Sequence, residues 1–564
     1  MTTNLTTMQG QQLLQTNETP WAVYPRPQMR RDSFLNLNGD WEYAVTPDVD
    51  FPAEYPQKIR VPFCPECQLS GIGEHPKDGH FIWYRRTFAL PEGFNKGRVL
   101  LHIGAADQTL LCLLNGKIIG AHTGGYEAIT FDITDALSAE NELILRCVDD
   151  LRNQIHPYGK QTLKRGGMWY TPVSGIWQSV WLESVPENYI QKLHIENQGF
   201  GVQISIEPKL EGKVIVPGVG EFDLADGAAN ITPENPHLWS PEDPYLYDFY
   251  VATAEDHIES YFAVRTLDIQ TIDGYPRLCL NGKPYFFHGL LDQGYWPDGL
   301  FTPAAPECYA EDILAMKKLG FNTLRKHIKV EPEEFYYQCD KLGMVVFQDM
   351  VNNGDYNFLR DTALPTIGLQ KLNDRNLHRN KLTRHAFLQG MEATVKQLKN
   401  HPCICYWTIF NEGWGQFDSD NVCEQFRKLD SSRFIAATSG WFRRSNTDVD
   451  SRHVYFKPVK LTAADKPLVL SEFGGYSYKP EGHVFNTEQT YGYGKFADQA
   501  AFAEAVEKLY LEQILPAFHR GLSAAIYTQV SDVEDETNGL LSYDRKVCKL
   551  DAERMQKIAD KFKF

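Results

Sequence analysis

In the second half of the chain, helix-like stretches end repeatedly in a glycine that launches a short apolar strand. Residues 307–319 place Ile313, Leu314 and Met316 on one side and carry Lys317 and Lys318 in the last turn. They stop at Gly320, ahead of Phe321-Asn322-Thr323-Leu324. Residues 333–342, Gly343 and 344–347 repeat the pattern, as do 501–519, Gly521 and 524–527. Each unit turns a helix straight back into a strand, so successive strands run the same way and build a mostly parallel sheet. A run of about 300 residues of this kind matches the size of a (β/α)8 TIM barrel. No G-x-G-x-x-G follows the first strand, which speaks against an open dinucleotide-binding sheet. The barrel is expected over 269–564.

The first third has a different grammar. Short runs rich in Val, Ile, Leu, Tyr and Trp alternate with Gly, Asn and Asp, and no long helical period appears. Asn115-Gly116 between Leu111-Cys112-Leu113-Leu114 and Ile118-Ile119 is the favoured two-residue hairpin signal. Residues 1–185 therefore read as a β-sandwich of the jelly-roll kind. From 186 to 268 strand-like runs continue in a shorter segment. Val202, Ile204 and Ile206 alternate with Gln203 and Ser205, as in a half-buried strand, and an immunoglobulin-like β-sandwich fits the length. At 564 residues, division into several domains is the natural outcome.

A net charge of −17 gives no basic face for phosphate backbones or anionic lipid, so neither nucleic acid nor membrane is an expected partner. The first twenty residues, rich in Thr, Gln and Asn, contain no apolar signal region, and no later run approaches a membrane span. Eleven cysteines, an odd number, sit in apolar surroundings, which suits reduced thiols and a cytoplasmic location. Cys64-Pro65-Glu66-Cys67 has metal-ligand spacing but no answering Cys or His pair, so no metal site is expected there.

In an α/β barrel the chemistry lies at the C-terminal ends of the strands. The run Tyr406-Trp407-Thr408-Ile409-Phe410 ends in Asn411-Glu412-Gly413-Trp414, and Pro467-Leu468-Val469-Leu470 ends in Ser471-Glu472-Phe473-Gly474. A lone glutamate in such a place is ordinarily a solvated loop carboxylate. Two of them, flanked by small and aromatic residues on strands of one barrel, supply what glycoside cleavage needs. One protonated carboxyl serves the leaving oxygen, and one carboxylate attacks or activates water.

Asn411-Glu412 and Glu472 after buried strands resemble the acid/base and nucleophile of glycoside hydrolase family 2. Leu37-Asn38-Gly39-Asp40-Trp41, Trp83-Tyr84-Arg85-Arg86 and Gly175-Ile176-Trp177 resemble signatures of that family's jelly-roll domain, so the likeness runs along nearly the whole chain. It implies a retaining, exo-acting hydrolase of O-glycosidic bonds and, in many members, a homo-oligomer. It also implies that Arg325 steadies the nucleophile, that Tyr455 stands beside it, and that Asn411 holds the sugar 2-hydroxyl. Trp414, Asp292 and Gln529 lie in segments that line the sugar pocket in the family.

The loops 288–298 and 528–534 depart from those of well-known β-galactosidases, so the sugar is not inherited from them. A β-galactosidase-like activity is the first expectation. β-Glucuronidase is the second, because the Asn-x-Lys motif that holds a glucuronide carboxylate occurs only at Asn115-Gly116-Lys117 and Asn281-Gly282-Lys283, in expected turns elsewhere. β-Mannosidase and arabinosidase stay open behind these. A non-catalytic carbohydrate-binding protein would require loss of one carboxylate, and both are present. No cofactor is required by this chemistry, though loop carboxylates could hold a divalent cation such as magnesium, as in some relatives.

Overall fold

The computed structural model describes residues 3–369, 373–442, 444–462 and 464–564. The N-terminal sandwich pairs a four-stranded sheet (Leu35–Asn36, Val180–Val185, Arg98–Ile103, Ile129–Asp132) with a six-stranded one. Trp41, Tyr43, Tyr84, Leu101, Leu143 and Leu182 interdigitate between them. Asn115 and Gly116 both take positive φ, at 52° and 75°, the type I′ geometry that joins Thr109–Leu114 to Lys117–Thr123 without splaying them. In the second sandwich Val202, Ile204 and Ile206 are buried beside Val214, Phe249 and Phe262, while Gln203 and Ser205 are half-buried.

The barrel strands are β1 (Phe287–Asp292), β2 (Thr323–Lys326), β3 (Val345–Asp349), β4 (Ile404–Asn411), β5 (Phe434–Ser439), β6 (Asp450–Val454), β7 (Leu468–Gly474) and β8 (Leu522–Thr528). They pair in parallel in the order β5-β4-β3-β2-β1-β8-β7-β6, leaving a seam between β5 and β6. The launching glycines do what their positions require. Gly320 and Gly343 sit at φ 87° and 72°, ending the helices Glu307–Lys318 and Glu333–Leu342.

Several features escaped the sequence reading. Residues 267–284, all but the first two within the expected barrel span, form a small antiparallel sheet (Leu267–Ile272, Tyr275–Leu280, Lys283–Pro284) at the barrel's N-terminal end. Arg277 pins it by donating to the carbonyls of Leu522 and Phe518. The polar N-terminus contains a helix, Met8–Gln15, capped by Thr7, whose N–H and hydroxyl both donate to Asp298 at 2.7 Å. The helix-like stretch 501–519 contains a wider turn at Tyr510–Ile514 between two α-helical pieces.

The N-terminal sandwich also reaches over the barrel mouth. Its 150–173 loop docks there as Tyr158 donates from N–H to Asn352 O (3.0 Å) and from hydroxyl to Gly354 O (2.8 Å), and Thr171 N–H to Glu534 Oε1 (3.0 Å).

Candidate active site

Every residue of β4 is buried, so the strand runs as apolar core until Asn411. The next residue, Glu412, takes φ 50°, a conformation that costs a non-glycine residue strain. Its N–H donates to Ser439 O at 3.2 Å, and Gly413 follows at φ 82°, where glycine is at ease. This turn directs the Glu412 carboxylate across the mouth rather than up into solvent. Glu472 lies within β7. The pairing with β6 slips between Arg452 and His453, setting His453 opposite Glu472, and the pairing with β8 slips between Leu470 and Phe473. Such irregularities re-aim side chains.

An oxygen of Glu412 comes within 4.8 Å of an oxygen of Glu472, with His453 Nδ1 inside the same distance of both. Their surroundings differ. Glu472 Oε1 accepts from Arg325 Nη1 at 3.0 Å, and Oε2 accepts the Tyr455 hydroxyl. Glu412 Oε1 lies 2.8 Å from His453 Nδ1. Burial pushes the Glu472 pKa up, but His453, Arg325, His327 and the Tyr455 hydroxyl together outweigh it, and the group is held below the ordinary glutamate range.

Arg325 is fully buried and organises the floor. Its Nε donates to Asp349 Oδ1 (3.0 Å), and Nη2 donates to Asn411 Oδ1 (2.8 Å) and to Ser439 Oγ (3.1 Å). Nη1 also donates to Ser471 O at 3.0 Å and faces His453 Nε2 at 3.3 Å. A guanidinium only donates, so Nε2 is the acceptor of that ring, and Nδ1 carries the proton it shares with Glu412. Both oxygens of Glu472 are already occupied as well. Although Glu412, His453 and Glu472 have the atoms of a metal-ligand set, the donor pattern fits a hydrogen-bonded carboxylate pair better than a cation site.

The residues singled out in the sequence divide into two groups. Glu412, Glu472, Arg325, Asn411 and Tyr455 converge on one point, and the Nδ2 of Asn411 is a buried donor with no acceptor among the described residues. Trp414 borders this cluster but is covered, stacked on Trp169 with centroids 5.3 Å apart and edge-on to Tyr356 at 5.6 Å. Asp292 and Gln529 are spent on the protein itself. Asp292 takes Lys326 Nζ at 2.6 Å and the N–H of Gly294, whereas Gln529 is fully buried between Gln293 (2.8 Å) and Asn538 (2.9 Å). Asp532, another loop carboxylate, is paired with Lys549 at 2.6 Å. Asp532 Oδ2 and Glu534 Oε2, in the same loop, are buried without a hydrogen-bond partner among the described residues.

His453, Asp349 and Ser439, not singled out in the sequence, lie at the last two positions of β6, β3 and β5, where the strand-end rule could have found them. Lys160 and Trp169 come from the other domain and carry no such signal.

The profile of "Glycosyl hydrolases family 2, TIM barrel domain" matches residues 274–491, and that of "Glycosyl hydrolases family 2" matches 183–265. The two together span just over half of the chain. The chain belongs to glycoside hydrolase family 2. Among curated family relatives, a β-galactosidase of Thermoanaerobacter pseudethanolicus is 26% identical over 443 residues, 72% of this chain and 55% of that protein. Human β-glucuronidase is 25% identical over 482 residues, 75% of this chain and 67% of its own length. The chain spans about half the length of the first curated relatives it matches. A β-glucuronidase from an uncultured Clostridium shares the fold with a TM-score of 0.73 at 19% identity, covering 96% of this chain and 99% of that one. A β-galacturonidase of Eisenbergiella tayi does so with a TM-score of 0.69 at 18% identity, covering 96% and 99%.

Proposed function

We propose that this family 2 chain is a retaining exo-β-glycosidase in which Glu472 is the nucleophile and Glu412 the general acid/base. The observation that carries this reading is the approach of the two carboxylates to within 4.8 Å in unlike surroundings. A retaining pair stands about 5 to 5.5 Å apart, while an inverting pair leaves roughly 6.5 to 9.5 Å for a water. Glu472, kept ionised by Arg325, attacks the anomeric carbon as Glu412 gives its proton to the leaving oxygen. Glu412 then takes a proton from the water that releases the sugar, its Oε1 held 2.8 Å from His453 Nδ1. The unspent amide donor of Asn411 suits the sugar 2-hydroxyl, a contact that tightens in the transition state. Near-complete burial of both carboxylates supports action on one terminal sugar and not along an open polysaccharide cleft. Proton NMR of the first-formed product tests the reading: the β-anomer is expected, and release of the α-anomer from a β-glycoside would refute it.

The relatives' names offer neutral galactosides, glucuronides and galacturonides; on motif grounds alone the galactoside comes first. Among the described residues no helix is long and apolar enough to cross a membrane. A cytoplasmic home is supported by eleven unpaired cysteines, ten of them buried. A homo-oligomer is part of the same proposal, and light scattering of the purified chain tests it.

Tyr455→Phe keeps the ring stacked on Tyr493 (3.9 Å) but removes the hydroxyl that donates to Glu472. A hydrogen bond to a charged group is worth enough to lower kcat/KM about 10- to 100-fold. The pH profile carries the sign. Glu472 is active when ionised, so its depressed pKa sets the acid limb below the ordinary glutamate range, and loss of the donor moves that limb to higher pH. The stability this depressed pKa contributes is present above the unfolded glutamate value and lost as pH falls through the folded one. An unmoved acid limb in Tyr455→Phe would count against this role.

A further inference from the structure

Among the described residues four lysines are buried: Lys160, Lys326, Lys329 and Lys549. Three are fully paired. Lys326 holds Asp292 (2.6 Å) and Glu331 (2.8 Å), Lys329 holds Glu331 (2.9 Å) and two carbonyls, and Lys549 holds Asp532 (2.6 Å) and two carbonyls. Lys160 has neither a carboxylate nor a hydrogen-bond acceptor among the described residues. Its ammonium lies only over aromatic faces, 5.3 Å from the centroid of Trp414 and 5.7 Å from that of Tyr170. Cation–π contact offsets part of the lost hydration but does not replace a counter-charge.

The position of Lys160 is fixed by its neighbours. Gly159, at φ 65°, lies so close to Ile328 that an added Cβ would stand 2.9 Å from that carbonyl, and Tyr170 N–H donates to Lys160 O at 3.1 Å. The segment is thereby clamped over the ends of β2 and β3. Trp414 stands two residues past Glu412, and His327, whose Nδ1 is 4.0 Å from Glu472 Oε1, feels the Lys160 charge as one of the influences that hold its pKa down after burial. The carboxylates of the site floor and of the catalytic pair are committed elsewhere: Asp349 to Arg325 and His327, Glu412 to His453, and Glu472 to Arg325 and Tyr455. Among the described residues of the site, Lys160 is thus a cation without an anion, set against Trp414 two residues past Glu412.

We propose that Lys160 is an anion anchor of the sugar site, so that the preferred substrate is a glycoside whose sugar carries a carboxylate or a sulfate ester. This rests on the glycosidase reading of Glu412 and Glu472, and it reverses the order that the absent Asn-x-Lys motif suggested. The anchor comes from the N-terminal sandwich instead of a late barrel loop.

The test uses the full chain, with Lys160→Met and Lys160→Arg, on the 4-nitrophenyl β-D-galactoside, β-D-glucuronide, β-D-galacturonide and 6-sulfo-β-D-galactoside. Wild-type kcat/KM is expected to be higher for one of the three charged sugars than for the galactoside, and which one identifies the anion as carboxylate or sulfate. In Lys160→Met the ratio of charged to neutral kcat/KM should fall about 30-fold or more, the scale for losing one partner of a buried charge pair, and Lys160→Arg should recover part of it. The melting temperature of Lys160→Met should be nearly unchanged, because the ammonium makes no ion pair or hydrogen bond among the described residues that the fold would lose. A wild-type preference for the galactoside with a ratio that moves less than about twofold would overturn the proposal. So would a drop in melting temperature with charged and neutral turnover falling together, which marks a structural lysine. If no glycoside is turned over, the glycosidase reading fails on its own. Calorimetry with free D-glucuronate, D-galacturonate, galactose 6-sulfate and D-galactose then still decides the anchor, since a charged sugar must bind wild type tighter than galactose and lose that advantage in Lys160→Met.

Discussion

Glu472→Ala should stop formation of the glycosyl-enzyme with every leaving group, lowering kcat on the order of 10^6-fold, the scale on which loss of a covalent nucleophile acts in a hydrolase that depends on one. The geometry leaves no substitute. Glu412, the only other carboxylate in this pair, is turned by its positive-φ backbone toward His453, and Asp349 is held by Arg325 and His327 beneath the floor. The fold should survive, because Arg325 keeps Asp349, Asn411 and Ser439 as partners when Glu472 is gone. A dinitrophenyl glycoside, whose departure needs no proton, separates the two functions: with Glu472→Ala it should show neither a burst nor turnover. Near-normal turnover of that substrate by a correctly folded Glu472→Ala protein would remove Glu472 from the role.

Glu412→Ala should behave differently on the two halves of the reaction. With alkyl glycosides, whose leaving oxygen must be protonated, kcat/KM should fall about 10^2- to 10^4-fold. With the dinitrophenyl glycoside the first step should be nearly spared, so a burst appears and the intermediate accumulates, since no base remains to activate water. Azide needs no deprotonation and should raise the steady-state rate, giving a β-glycosyl azide of retained configuration. Alanine introduces no new backbone demand, because both residues are non-glycine at φ 50° and the Ser439 carbonyl still receives the amide N–H. Equal losses for both substrates without azide rescue would mean that Glu412 acts through structure instead.

The fold was legible because its signals are local. A glycine after a helical run, an Asn-Gly between two apolar runs and period-two alternation in 202–206 each record backbone demands met within a few residues, and Gly320, Gly343 and Asn115-Gly116 carry the φ values those demands require. The same holds for Glu412 and Glu472: a buried parallel strand is apolar up to its mouth, so the first carboxylate after it is conspicuous. Other features are not local. The 267–284 sheet has strand-like composition whether it belongs to a barrel or lies beneath one, and only Arg277 reaching the Leu522 carbonyl shows which.

Sequence alone therefore determined the layers, the barrel and the place of two glutamates at strand ends, since hydrophobic period and turn chemistry are properties of neighbouring residues. Only the tertiary structure decided which polar groups are available. Asp292 looked free at the end of β1 and is neutralised by Lys326 from β2, and Gln529 is enclosed by Gln293 and Asn538. Lys160 carries no sequence signal and lies covered over Trp414 and Tyr170 at the mouth of another domain's barrel, with no carboxylate partner among the described residues. Whether a charge is satisfied depends on what lies within a few ångströms of it, and those neighbours come from segments far apart along the chain, where no local pattern records the contact.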